Sequence, residues 1–276
     1  MARDGSSVIV GAPASSGDLF TGEAYVFDLV NDFFYSVVGR SLEGEGNGDG
    51  FGEAVAMNSA GDIFAVGGPN NDGVNGLSTG SVRVFQRTSL GAGFVQLGED
   101  IDGEGILDSF GFAIALSADG YKIVIGALFH DGATGVDSGH AMIFQYDFTL
   151  GDWAPQQISR SIGTELEGEV AGDNYGYQVA ISDAGDRIVV SARRNGNVAT
   201  FNGAAYVYGQ TEFPTFSPIT NPLPEVSDLS LSSTSAGFAS RLAALWQSIT
   251  ERTSDCIETY LVVETHHELY NPDLFH

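Results

Sequence analysis

The run LEGEGNGDGFG, Leu42 to Gly52, places Glu43, Glu45, Asn47 and Asp49 at every second position with glycines between them. Alternating oxygen donors on a glycine-rich backbone are the raw material of a calcium loop. The same chain carries IDGEGILDSFG from Ile101 and LEGEVAGDNYG from Leu166. Across the three segments the full alternation is lost. What recurs is an apolar residue, an acid, Gly-Glu, and then Asp-x-aromatic-Gly. The recurring carboxylates are Glu45, Asp49, Glu104, Asp108, Glu169 and Asp173. They are the weak metal-ligand candidates of this chain, as a shared cation site at a repeated position. Their other reading is as hydrogen-bond acceptors for turn amides, as in Asx-turns. Asp72 and Asp131 follow at a distance, because Gly17 and Gly196 occupy the aligned places.

No catalytic set stands beside them. The histidines, His130, His140, His266, His267 and His276, do not recur between the segments. His266-His267-Glu268 lacks the i, i+4 spacing of a zinc-protease helix. There is no G-x-S-x-G elbow, no P-loop and no strand–GxGxxG–helix unit for a dinucleotide. Cys256 is the one cysteine, so no intrachain disulfide forms and compartment is not legible from disulfides. The expectation is a protein that is not an enzyme and has no cofactor. A hydrolase built on paired carboxylates is the alternative, since their separation is not readable from sequence.

The segments belong to a longer repeat, and the repeat defines the elements that must position these acids. LEGEGNGDGFGEAVAMNSAGDIFAVGG, IDGEGILDSFGFAIALSADGYKIVIGA and LEGEVAGDNYGYQVAISDAGDRIVVSA align without a gap. Their aromatic-Gly pairs are 59 and then 65 residues apart. Each copy continues into GSVRVF from Gly80, GHAMIF from Gly139 or GAAYVY from Gly203, and VIVGAP with GEAYVF near the N-terminus is half of a fourth copy. In the first full copy the strand-like runs are 52–58, 63–68, 81–87 and 94–100, separated by glycine-bearing turns. Four short antiparallel strands per repeat are the pattern of a β-propeller blade. A stacked solenoid is the other architecture. Val55, Ile114 and Val179, with Val66, Ile125 and Val190, should fill the space between sheets. Phe51, Phe110 and Tyr175 should cap the first strand, and the glycine after each should let another backbone pass. Gly67 and Gly126 should do the same, a rule from which Ser191 departs.

Eleven Lys+Arg against 36 Asp+Glu leave a net charge of −25 over 276 residues. Such a surface repels phosphate backbones and anionic membranes, so no nucleic-acid partner is expected. No run reaches the ~20 apolar residues of a membrane span. The N-terminus shows no basic segment followed by a long apolar one, so no signal peptide is seen. Residues 1–210 read as propeller repeats. Residues 211–224, with Pro214, Pro218, Pro222 and Pro224 close by, read as an extended linker. Residues 225–276 read as a tail whose Phe238, Leu242, Leu245 and Ile249 form the stripe of an amphipathic helix.

The recurring pattern D-x-[FY]-G-x-x-[VI]-A-x-S-x-x-G-x-x-[IV]-x-V-G-A resembles the FG-GAP repeats of integrin α-subunit heads, in the short-loop variety of bacterial and algal surface proteins. The resemblance covers roughly residues 5 to 210. It implies an all-β fold of propeller blades, about 3.5 repeats here, where related propellers close with about seven. It implies a cell-surface or extracellular module for adhesion, with a protein or glycan ligand held by the loops. It does not imply chemistry. The D-x-D-x-D-G calcium loop of integrin-type repeats is absent: NSAGD, SADGY and SDAGD stand in its place. The incomplete count raises two further expectations, a fragment of a larger surface protein or self-association to complete the propeller.

Overall fold

In the computed structural model of the chain the described residues are 1–15, 21–31, 34–88, 93–156, 165–195 and 203–209. The chain divides into two units, Met1–Thr220 and Asn221–His276, and the described residues lie in the first. The linker at 211–224, the tail with its expected helix, Cys256 and the three C-terminal histidines lie outside them.

Four antiparallel sheets follow one another along the chain. The first holds β1 (Ser7–Ala12), β2 (Glu23–Asn31), β3 (Phe34–Val37) and β4 (Leu42–Glu43). The second holds β5 (Ala54–Met57), β6 (Ile63–Gly68), β7 (Ser81–Arg87), β8 (Phe94–Gln96) and β9 (Ile101–Asp102). The third holds β10 (Phe110–Leu116), β11 (Lys122–Ala127), β12 (His140–Asp147), β13 (Asp152–Pro155) and β14 (Glu165–Glu167). The fourth holds β15 (Tyr175–Ile181), β16 (Arg187–Ala192) and β17 (Ala204–Gly209). These are β-propeller blades. The four runs expected for the first full copy are β5, β6, β7 and β8. The last is shorter than expected because Gly98 turns the chain at φ 80°.

In the second and third sheets the long third strand pairs twice along one edge. The far half of β7 pairs with β8 and its start pairs with β9, and β12 divides in the same way between β13 and β14. The short strand, two residues in β9 and three in β14, is the start of the connector, so the connector is pinned to its own blade before it crosses to the next. The crossing is pinned as well. Isolated parallel bridges join Gly22 to Phe51, Gly80 to Phe110 and Gly139 to Tyr175.

Strand periodicity explains the packing. Side chains of β6 alternate between two cores. Phe64 and Val66 meet Ile9, Val26 and Phe51 on one side, while Ile63 and Ala65 meet Phe110, Ile123 and Ile125 on the other. A strand covered on both faces reads as an unbroken apolar run, as IFAVGG does. A third core joins Val124 and Ile143 to Tyr175, Ile188 and Val190. Beyond it, β17 alternates half-buried and exposed, because its outer face meets no further sheet among the described residues.

The glycine expectation is met by direct contact. A Cβ added to Gly11, Gly67 or Gly126 would stand 1.9, 2.1 or 2.1 Å from the carbonyl oxygen of Gly52, Gly111 or Gly176 in the next blade. Only a glycine lets the two backbones approach that far. Ser191 holds the corresponding place in β16, on the face that meets no further sheet among the described residues, and its Oγ accepts the Gln178 N–H at 3.0 Å.

Candidate functional site

The recurring acids sit at the three blade junctions, in the connectors between β4 and β5, β9 and β10, and after β14. Asp49, Asp108 and Asp173 are buried. Asp49 Oδ2 accepts the Glu45 and Gly46 N–H groups at 3.0 and 2.6 Å and the Asn71 side-chain amide at 3.2 Å. Asp173 Oδ2 accepts the Glu169 and Val170 N–H groups, both at 3.0 Å, and the Asn195 amide at 3.2 Å. A buried carboxylate is held there by donors that would otherwise go unpaired in a tight turn. The turn-acceptor role therefore describes these two aspartates.

The middle junction departs from this pattern. Asp108 Oδ2 lies 2.6 Å from His130 Nδ1, and the His130 ring stacks on buried His140 with centroids 4.0 Å apart. His130 aligns with Asn71 and Asn195, each 22 residues after the junction aspartate. The non-recurrence of histidine hid this role. The signal was available as a polar side chain at constant distance from the aspartate.

The glutamates do different work. Glu45 is exposed and reaches Arg83 of the next blade at 3.6 Å. The Tyr206 hydroxyl donates to Glu169, and its pKa is pushed up, first by burial and then by the charges of Glu169 and Asp173. Glu104 is exposed at the aligned place. Among the described residues no three acid, histidine or cysteine side chains converge so as to hold a metal ion. NSAGD, SADGY and SDAGD are closed turns. Asn58 donates to Asp62 at 2.8 Å, Ser117 to Asp119 at 2.5 Å and Ser182 to Asp186 at 2.6 Å.

The loops between second and third strands fold over the connectors. Asp72 accepts the Ser78 N–H and Asp131 the Asp137 N–H, at 2.8 and 2.9 Å, so each closes its own loop. Asn75 and Thr134 then donate to the Gly103 and Gly168 carbonyls at 2.8 and 2.7 Å. Beside the first of these loops is an open hollow of about 470 Å³ lined by Glu45, Asp72, Val74, Glu99, Asp100 and Asp102, among others. Burial, and then the charge of Asp100, raise the Asp102 carboxyl pKa above its ordinary value against a bond from the Val74 N–H. Trp153, in β13, is buried in the blade-edge core and donates from Nε1 to Leu97 O at 2.7 Å, a packing role. Tyr146 packs beside it, and Phe129 is exposed.

Residues 168–208, the last junction and blade, match the family model described as FG-GAP repeat. This segment is an FG-GAP repeat. The earlier copies share the junction bridge and the order of the first three strands with the matched one, which carries Ser191 in place of their docking glycine. No curated protein matches the chain. Among solved structures, the Niastella koreensis GH74 enzyme aligns at 16% identity and TM-score 0.42, over 78% of this chain and 27% of that one. The Pseudomonas aeruginosa periplasmic gluconolactonase aligns at 15% identity and TM-score 0.42, over 72% of this chain and 49% of that one. The chain thus spans less than half the length of either. Among the described residues no helix is long and apolar enough to cross a membrane.

Proposed function

We propose that this FG-GAP β-propeller chain is a non-enzymatic interaction module, acting outside the cell or at its surface, that takes a protein or glycan through its loops. The observation that supports this reading is the use made of the recurring carboxylates. Asp49 and Asp173 each bind the amides of their own connector, and Asp108 binds His130. Side chains held this way brace a rigid frame, and rigid frames present loops for recognition. No bound cation is needed for that role.

Self-association that adds a further blade on β15–β17 would have to accommodate Ser191 where the earlier blades carry glycine. Sedimentation velocity across a concentration series measures it. The functional test uses the whole chain over immobilised glycans and extracellular-matrix proteins, with parallel assays for reducing-end release from polysaccharides and for phosphoester cleavage. Saturable retention without product supports the reading. Product formation above the buffer rate overturns it.

A further inference from the structure

Val74 and Leu77, in the loop between β6 and β7, and Ile106 and Leu107, in the connector between β9 and β10, are 87%, 65%, 61% and 64% exposed. Leu77, Ile106 and Leu107 lie together, and Val74 precedes Leu77 in the same loop. The Leu107 N–H donates to Leu77 O at 3.2 Å, and a Cβ added to Gly76 would stand 2.8 Å from Ile106 Cγ1. Large aliphatic side chains exposed in such a group are unusual on a chain of net charge −25.

The backbone adds an independent oddity. Leu107 has φ 66°, a left-handed conformation that opposes a Cβ, whereas the aligned Gly48 and Gly172 have φ 90° and 80°. A glycine would make the same turn without strain and without exposing a leucine. Ile106 likewise aligns with Asn47 in the first connector. The turn itself requires neither residue.

Charge identifies what covers them. The acidic hollow shares Val74 with the cluster, and its lining carries no lysine or arginine. Asp102 and Asp100 both line it, and the Asp102 carboxyl is raised first by burial and then by the charge of Asp100. A second copy would bring the same acids against these, and a neutral glycan would leave them unanswered.

We propose that Val74, Leu77, Ile106 and Leu107, together with the acidic hollow beside them, form a docking surface for a basic, aliphatic-rich segment of a partner protein. Aliphatic side chains of that segment cover the cluster while its lysine or arginine heads reach the hollow. The proposal rests on the binding-module reading and names its site and partner class.

The test is fluorescence anisotropy of the whole chain with a labelled peptide of alternating lysine and leucine. Lysine–serine and glutamate–leucine peptides serve as controls. The variant I106N/L107G installs the residues of the first connector, and L77S is a second variant at an exposed side chain. The lysine–leucine peptide is expected to bind, more weakly as salt rises, and both controls at least about tenfold more weakly. Both variants should lose at least about tenfold in affinity, with I106N/L107G melting no lower than wild type. Unchanged affinity in both variants, equal binding of either control, or no saturable binding at millimolar peptide overturns the proposal. So does self-association that I106N/L107G abolishes, which would make a second copy the occupant. Failure here with retention on glycans or matrix proteins leaves the binding-module reading standing, whereas hydrolytic product removes that reading whatever the peptide does.

Discussion

Replacing Gly126 by Ala tests the idea that blades dock glycine on glycine. The new Cβ would lie 2.1 Å from Gly176 O and 2.9 Å from its carbonyl carbon, both backbone atoms. Ordinary contact starts at 3.4 Å, so the two blades must separate locally by about 1.3 Å. β11 has little room to retreat, because Gly126 is paired with Ala113 in β10 and Ala141 in β12. Overpacking of a tight core costs about 1–3 kcal/mol, and a clash with two paired backbones belongs at the upper end. A loss of about 3 kcal/mol lowers the melting temperature by about 6–12 °C in a domain of this size. Ser191→Ala is the internal control, at the aligned position on the open face of β16. It keeps its Cβ and loses only the Gln178 N–H bond, about 0.5–1 kcal/mol. Urea and thermal melts followed by far-UV circular dichroism compare the two. A Gly126→Ala protein within about 0.5 kcal/mol of wild type, or an equal loss in Ser191→Ala, refutes the docking argument.

Three further outcomes are expected. Asp28 is bidentate with Arg87 of the next blade at 2.8 and 3.0 Å. Burial alone would raise its carboxyl, but hydrogen bonds from Arg87 and Ser7 and the Arg87 charge outweigh that and lower it. A lowered folded pKa contributes stability above the unfolded value of 3.8 and loses it as pH falls through the folded one. Asp28→Asn should therefore cost about 2 kcal/mol at pH 7 and progressively less in a melting series carried below pH 4. Asp49→Ala leaves the Glu45 and Gly46 N–H groups and the Asn71 amide without their acceptor, so urea denaturation should show a loss of about 2–3 kcal/mol. Calorimetry in millimolar calcium should give the same melting temperature as a salt control of equal ionic strength. A clear upward shift would mean that residues 42 to 192 hold a specific cation site.

The four-strand repeat, the positions of its long strands and the burial of Phe51, Phe110 and Tyr175 were legible in the sequence. Side chains that alternate on a strand must do so in every copy, so the repeat carries its own alignment. Val66 and Ile125 were placed between sheets for the same reason, and the structure buries both. Gly67 and Gly126 were legible because a missing Cβ in an apolar run needs a reason. What the repeat could not supply was the partner across a junction. Asp49 and Asn71 lie 22 residues apart, as do Asp108 and His130, and only the fold brings each pair within bonding distance. The exposed cluster of Val74, Leu77, Ile106 and Leu107 was equally hidden, because an apolar residue in a loop reads like any other until its burial is known.

LEGEGNGDGFG illustrates the division. The sequence by itself, through comparison of three copies, reduced an apparent calcium loop to an acid, Gly-Glu and Asp-x-aromatic-Gly, because local turn chemistry repeats wherever the turn repeats. Only the tertiary structure decided what the acids do. A carboxylate accepts a turn amide, an arginine or a cation equally well in principle, and the choice depends on which donors the neighbouring blade brings to it. Here Asp49 received backbone amides and Asn71, Glu45 received Arg83, and the exposed aliphatic side chains of the next connector were left facing solvent beside an acidic hollow.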